Sequence, residues 1–329
     1  MLESFPREKL AHAPTPFEPM PRLSAALGGP QVWIKRDDCT GLGFGGNKTR
    51  KLEFLVGAAK AEGADTLLTF GARQSNHARQ TAAAAARCGL GCELILVDQV
   101  GYEAACYQNS ANVLLDHLFG AAVHHVPDDH AAAERLGVVL AELDDQGRKA
   151  YLIPPGGSSE TGTLGYVAAG LELAEQFRAH DFVPDAVVHA TSTGGTQAGL
   201  DVGLALGGSD VPVIGFNVYA ADVEAQREGL CALRGRVADL LGADLTGRSL
   251  TIRDAKGPGY GLPTAGMREA VGMVAALEGI TLDPVYSGKA MAALIADIRA
   301  GAYGADDVVV FVHTGGAPGL FAYAPEFTG

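Results

Sequence analysis

Short apolar runs alternate with helical segments along almost the whole chain, and that alternation restricts the fold more than any other feature. The strand-like runs fall at 31–35 (QVWIK), 66–70 (TLLTF), 93–97 (ELILV), 121–126, 150–153, 186–190 (AVVHA), 213–219 and 307–313 (DVVVFVH). Helical patterns fill 47–62, 76–88, 110–119, 131–146, 163–179, 195 onward, 221–241, 263–278 and 288–300. Nearly every strand residue is apolar, so both strand faces should be buried. This pattern implies parallel sheets with helices on both sides. The strands are too many for one comfortable sheet. The expected architecture is therefore α/β, with two open parallel-sheet layers and a cleft between them. No internal repeat or low-complexity linker marks a boundary. Element counts divide the chain into a larger unit, 1–51 plus 157–329, and a smaller one, 52–156.

Composition narrows the class. With 47% apolar and 19% charged residues over 329 positions, the chain is an ordinary globular protein. Its 44 glycines suit tight strand-to-helix turns and close approach of backbone to ligand. A formal net charge of −13 disfavours nucleic acid and anionic membrane surfaces as partners. The five cysteines (Cys39, Cys88, Cys92, Cys106 and Cys231) are scattered and lack metal-ligand spacing with histidine, so reduced thiols and no metal are expected. Cys88 and Cys92 read as structural. The N-terminal stretch has no apolar leader core, and no apolar run approaches the ~18 residues needed to span a bilayer. The expected setting is cytoplasmic.

Five stretches could carry chemistry. The first is GGNKTRK, 45–51, where Lys48 sits at the mouth of a helix. Lys48, Arg50 and Lys51 crowd a first turn whose dipole opposes positive charge. Such a cost is expected where an anion or a reactive amine is needed. Lysine amines form Schiff bases with carbonyl cofactors, pyridoxal phosphate above all. Two other motifs fail here. Gly41, Gly43 and Gly46 fit G-x-G-x-x-G, but polar KRDDCT separates them from the strand. The phosphate-loop pattern also fails, because Asn47 stands between Gly46 and Lys48.

The second stretch is GARQSNHARQT, 71–81. Ser75 is a natural N-cap; capping alone would account for it, and free N–H groups of the turn could also bind a carboxylate. The third, ATSTGGTQAGL at 190–200, runs a buried strand into Thr193, Gly194, Gly195 and Thr196. Exposed N–H groups at that helix mouth would suit a phosphate monoester. The fourth comprises GPGYGLP (257–263) and LDPVYSG (282–288), which set Tyr260 and Tyr286 in rigid non-helical segments. The fifth is HTGGAP, 313–318, containing Thr314. Several of these stretches begin at strand C-terminal ends, where open α/β sheets bind ligands, and could share one cleft.

Together, GGNKTRKLEFL, QSNHARQTAA, GYGLP, LDPVYSGKAM and HTGGAP resemble the D-cysteine desulfhydrase and aminocyclopropane-carboxylate deaminase family. These are pyridoxal-phosphate enzymes of fold type II, the tryptophan-synthase-β-like fold. The resemblance runs from about Pro6 to Tyr323. It implies that the larger unit binds pyridoxal 5'-phosphate and that Lys48 is the Schiff-base lysine and proton shuttle. Asn76 would contact the cofactor's 3′-oxygen. Thr193, Gly194, Gly195 and Thr196 would hold the phosphate with Lys51. Ser75, Asn76 and His77 would surround the substrate carboxylate, with Thr314 beside them. Tyr260 and Tyr286 would flank the substrate, and Ser75 is a further proton donor or acceptor. A homodimer is implied by analogy with the fold family.

Departures within the family bear on the reaction. The deaminase branch carries a glutamate facing the pyridine nitrogen where this chain has Ser287, and a glutamine where it has His77. Both changes point to β-elimination from a small amino acid, giving pyruvate and ammonia. D-cysteine, expelling sulfide, is the first expectation. Gln197 and Ser287 fit L-cysteate sulfo-lyase at least as well, and aminocyclopropane-carboxylate deamination stands third. From other classes, a cofactor-carrying protein without catalysis and a dinucleotide-dependent oxidoreductase are the alternatives.

Overall fold

The apolar runs pair in two separate sheets. A computed structural model describes residues 1–328. Ten strands are present among the described residues: β1 (Phe17–Pro19), β2 (Gln31–Arg36), β3 (Thr66–Ala72), β4 (Gly91–Val97), β5 (Ala122–Val126), β6 (Ala150–Ile153), β7 (Ala186–Thr191), β8 (Val213–Asn217), β9 (Thr251–Asp254) and β10 (Val308–His313). One sheet has the order β1-β2-β10-β7-β8-β9, and the other β5-β4-β3-β6. Every pairing is parallel except β1 with β2. The two-layer expectation holds.

Two edge strands depart from the sequence reading. β1 lies among prolines, and Pro19 is tolerated because it closes a three-residue strand at an edge. β9, Thr-Ile-Arg-Asp, is polar at three of its four positions, which an edge strand with only one strand neighbour, β8, tolerates. Central strands behave as their composition dictates. All six residues of β7 are buried, and Val187, Val188, Val310 and Phe311 are sealed within the large sheet. Burying such side chains contributes about 1.5–3 kcal/mol each.

The helix Lys48–Ala61 joins the two layers. It packs on the helix Glu160–Ala179 of the large-sheet side and on Asn76–Cys88 of the small-sheet side. Its residues Thr49–Val56 are all buried, so it is no surface helix. Arg50 explains how a charged first turn survives there. Its guanidinium binds Asp37 at 2.9 Å and Glu172 at 2.9 Å. Asp37 also accepts from Tyr166 Oη at 2.6 Å and Thr15 Oγ1 at 2.8 Å. Burial would raise the Asp37 carboxyl, yet Arg50 beside it holds it below the usual range. Removing one partner of such a buried pair costs about 3–5 kcal/mol. The network fixes the turn that carries Lys48. Among the described residues, no helix is long and apolar enough to cross a membrane and no cluster could hold a metal.

Candidate active site

The C-terminal ends of β3, β7 and β10 meet the start of the Lys48–Ala61 helix around one cavity. The empty space within it, open solvent at its mouth included, is about 840 Å³. Lys48, Lys51, Ser75, Asn76, His77, Thr193, Gly194, Thr196, Tyr260, Tyr286 and Thr314 line it together. They come from all five stretches, the two tyrosine loops included. Gly195 and Ser287 are not on the wall.

Lys48 is half-buried, and its Nζ donates to Asn47 Oδ1 at 3.1 Å. Asn47 is itself tied to Thr196 Oγ1 at 2.9 Å and, through its N–H, to the Thr314 carbonyl at 3.0 Å. The two Gly-Gly turns press together there. A Cβ on Gly315 would lie 2.5 Å from Gly46 Cα, and both glycines have positive φ. Burial, with the nearby Arg79 cation, pushes the Lys48 amine down to about 8, although Asp283 pulls the other way. A free amine is thus within reach near neutral pH.

Lys51 is fully buried, and its only hydrogen-bond partners among the described residues are neutral. Its Nζ donates to the Gly156 carbonyl at 3.0 Å and Ser158 Oγ at 3.2 Å. Burial, then the neighbouring Lys48 charge, drives its amine well below the ordinary lysine value. Ser158 Oγ also contacts Thr193 Oγ1 at 2.7 Å and accepts from the Gly195 N–H at 3.2 Å. A Cβ on Gly195 would stand 2.8 Å from both Lys51 Nζ and Ser158 Oγ, so side chains are shut out of this hollow. The hollow opens on the helix Gly195–Leu206, whose first N–H groups attract anions. Ser158 was not legible as a site residue: GGSSE reads only as a turn.

Ser75 caps the helix Asn76–Cys88, accepting from the Ala78 N–H at 3.1 Å. Asn76 Oδ1 accepts from Asn112 Nδ2 at 3.0 Å, which leaves its Nδ2 to donate. Arg79, one turn on and wholly buried, grips Asn112 Oδ1 at 2.9 Å and the Gly45 carbonyl at 2.8 Å. It thereby links Asn76's neighbour to the glycine turn before Lys48. His77 has a defined tautomer. The Thr69 hydroxyl donates to the Ile153 carbonyl at 2.8 Å, so at 2.9 Å it must accept from His77 Nε2–H. Nδ1 is then a bare acceptor, buried and unpartnered. Burial, Lys48 and Lys51 all hold this imidazole neutral. An acceptor cannot grip a carboxylate, so the side chain of His77 does not fit that expectation; backbone N–H groups of the same turn do.

The Tyr260 and Tyr286 hydroxyls meet at 2.6 Å, and Tyr219 sits edge-on to Tyr260 at 5.0 Å. Burial raises both phenols above their usual range, so both keep their protons. Ser287 is turned away. Its Oγ donates to Asp283 Oδ1 at 2.6 Å and accepts from the Asp283 N–H at 2.8 Å. The expectation that this hydroxyl faces a cofactor ring meets a side chain already committed to capping. Asp283 went unnoticed in the sequence. It accepts from the N–H groups of Val285, Tyr286 and Ser287 at 2.8–2.9 Å and so shapes the turn that presents Tyr286.

Comparison with known proteins decides the family. The model of the pyridoxal-phosphate dependent enzymes matches residues 8–315. This chain belongs to the pyridoxal-phosphate dependent enzyme family. It is 45% identical over 325 residues to D-cysteine desulfhydrase from Salmonella schwarzengrund (strain CVM19633), covering 99% of this chain and 98% of that one. The same figures hold for D-cysteine desulfhydrase of Salmonella newport (strain SL254). Among solved structures, an ACC deaminase homologue superposes with a TM-score of 0.88 at 39% identity, covering 99% of this chain and 96% of the other. A threonine deaminase from T.th. superposes at 0.65 with 21% identity over 92% of each, a likeness of fold alone.

The residues fit the family's cofactor. A buried ammonium without a carboxylate partner, beside a hollow that a glycine keeps clear, suits a phosphate. An amine of lowered proton affinity in the same cavity suits an aldehyde.

Proposed function

We propose that the chain eliminates sulfide from D-cysteine, yielding with water pyruvate, ammonia and hydrogen sulfide. The observation that carries this reading is the cavity itself. A lysine amine near pKa 8, an anion hollow and a pair of protonated phenols share it. Full-length relatives named D-cysteine desulfhydrase supply the substrate.

When bound, pyridoxal phosphate supplies an electron sink for the pair released at the substrate α-carbon. Lys51, Ser158, Thr193 and the N–H groups at Gly194–Thr196 would hold its phosphate, and Lys48 would hold its aldehyde carbon. Asn76 Nδ2, left free by the bond at its Oδ1, would donate to the cofactor's 3′-oxygen. The free Lys48 amine, oriented by Asn47 Oδ1, accepts the α-proton. The N–H groups at Ser75–His77 hold the carboxylate, with Thr314 at the same wall. The Tyr260–Tyr286 pair, linked by one hydrogen bond, keeps a second proton free to protonate the departing sulfur.

The L-cysteate alternative draws on Gln197 and Ser287. Gln197 Nε2 is bonded to the Thr251 carbonyl at 2.8 Å, away from the cavity wall, and Ser287 to Asp283, so neither side chain favours sulfite as leaving group. We also propose the division into 1–51 plus 157–329 and 52–156. It is supported by the four-stranded sheet falling wholly within 66–153. A homodimer in a reducing cytoplasm completes the reading, in keeping with five free thiols. The test is turnover of D-cysteine, L-cysteine and L-cysteate side by side, reading pyruvate. Pyruvate with sulfide from D-cysteine alone is expected. Pyruvate with sulfite from L-cysteate would overturn the substrate, and deamination of aminocyclopropane carboxylate alone would overturn the elimination.

A further inference from the structure

Tyr260 lies in a segment with little order of its own. Gly257, Gly259 and Gly261 surround it, and two of them have positive φ. Glycines at this density leave a free loop many conformations. Yet the Tyr260 hydroxyl is held 2.6 Å from that of Tyr286. The restraint comes from two buried donors outside the loop. Lys289 Nζ donates to the Lys256 carbonyl at 2.6 Å and the Gly259 carbonyl at 2.8 Å. Tyr323 Oη donates to the Gly261 carbonyl at 2.6 Å. The residues immediately before and after Tyr260 are thus both clamped. Lys289 belongs to the helix Ser287–Arg299, whose N-cap is Tyr286. One helical turn therefore presents the first tyrosine and grips the loop of the second. Lys289 is 2% exposed, and among the described residues its ammonium has no carboxylate partner within ion-pair distance. Burial pushes it down to about 8, against the pull of Asp283 and Asp254. Apolar packing alone would not need a buried amine there.

We propose that Lys289 is a positioning residue that sets the Tyr260 hydroxyl against Tyr286 by tethering the Lys256 and Gly259 carbonyls, with Tyr323 as the second tether. This rests on the tyrosine pair acting in the elimination. The test uses holoenzyme with Lys289→Met, Lys289→Arg and Tyr323→Phe, assayed on D-cysteine beside the wild type. Lys289 lies outside the anion hollow, so Lys289→Met should keep bound cofactor and its absorbance. Its KM should change by less than about threefold while kcat falls about 100-fold, the cost of ångström-scale misplacement of a reacting group. Amide hydrogen exchange should quicken at 256–262 and not in β7 or β10. Lys289→Arg should restore part of kcat, since a cation still reaches the carbonyls. Tyr323→Phe should loosen the same segment and lower kcat less.

Unchanged kcat and exchange in Lys289→Met would overturn the proposal. So would parallel loss of cofactor, thermal stability and activity with no rescue by arginine. If Lys289→Met does not fold, Tyr323→Phe decides: unchanged exchange at 259–262 refutes the tether. If the wild type makes no pyruvate from D-cysteine, the substrate reading fails, and exchange at 256–262 still judges the tether by itself.

Discussion

Replacing Lys51 by methionine should separate cofactor binding from folding. In the free protein the Lys51 ammonium is stranded among neutral acceptors, and burial disfavours its charge. Methionine removes that penalty and loses two hydrogen bonds worth about 1 kcal/mol each. Ser158 Oγ keeps Thr193 and the Gly195 N–H, and the Gly156 carbonyl faces the cavity, where water can reach it. The two effects oppose each other, so stability without cofactor should fall by less than the ~2 kcal/mol of the two lost bonds. Affinity should not be spared. A charge-assisted bond to phosphate is worth about 1.5–3 kcal/mol, so Kd for pyridoxal phosphate should rise about 10- to 150-fold. Proton linkage gives an independent sign. The folded amine has a lowered pKa, so its charged form is penalised at all pH below that value. The penalty lifts as pH rises from the lowered folded pKa toward the ordinary lysine value, and wild-type stability gains over that window. Bound phosphate favours the cation, so loading should take up a proton that Lys51→Met does not. Calorimetry in two buffers of different ionisation enthalpy, with thermal melts of the cofactor-free protein, reads all three effects. An unchanged Kd in a folded Lys51→Met protein would refute the assignment of the hollow.

Gly195→Ala should weaken cofactor binding at least tenfold, because its Cβ would stand 2.8 Å from Lys51 Nζ and Ser158 Oγ and displace both groups. Equal affinity by titration would place the phosphate elsewhere. The rate of cofactor attachment should rise with pH to a plateau with its midpoint near 8, since the free Lys48 amine is the attacking form. A midpoint at the ordinary lysine value would contradict the lowered affinity for protons. Ser287→Ala should cost about 1–2 kcal/mol, by loss of its two bonds to Asp283, and leave the cofactor absorbance in place. A shifted absorbance at unchanged stability would restore Ser287 to the cofactor ring.

The sequence revealed the fold wherever burial is uniform. Runs such as AVVHA and TLLTF can lie only between layers, and both do. It failed at β1 and β9, where prolines and charges are tolerated because each strand is an edge. The convergence of Gly-, Ser- and Thr-rich turns after strands on one cavity was legible from their setting. Ser158, Arg79, Asp283 and Lys289 were not. Each is an ordinary polar residue in a turn or helix, and only tertiary packing buries Arg79, Asp283 and Lys289 and brings Ser158 against Lys51. His77 and Ser287 show the limit of motif reading. Their positions fit the family, but the hydrogen bonds to Thr69 and Asp283 decide which way each side chain can act.

The most direct test of the account is where the cofactor attaches. Borohydride reduction of the holoenzyme should leave pyridoxal phosphate bound through a stable secondary amine, and peptide mass spectrometry should find it on Lys48 and lose it in Lys48→Ala. An adduct on Lys51 or Lys289, or none, would contradict the reading of the cavity on which the proposed elimination rests.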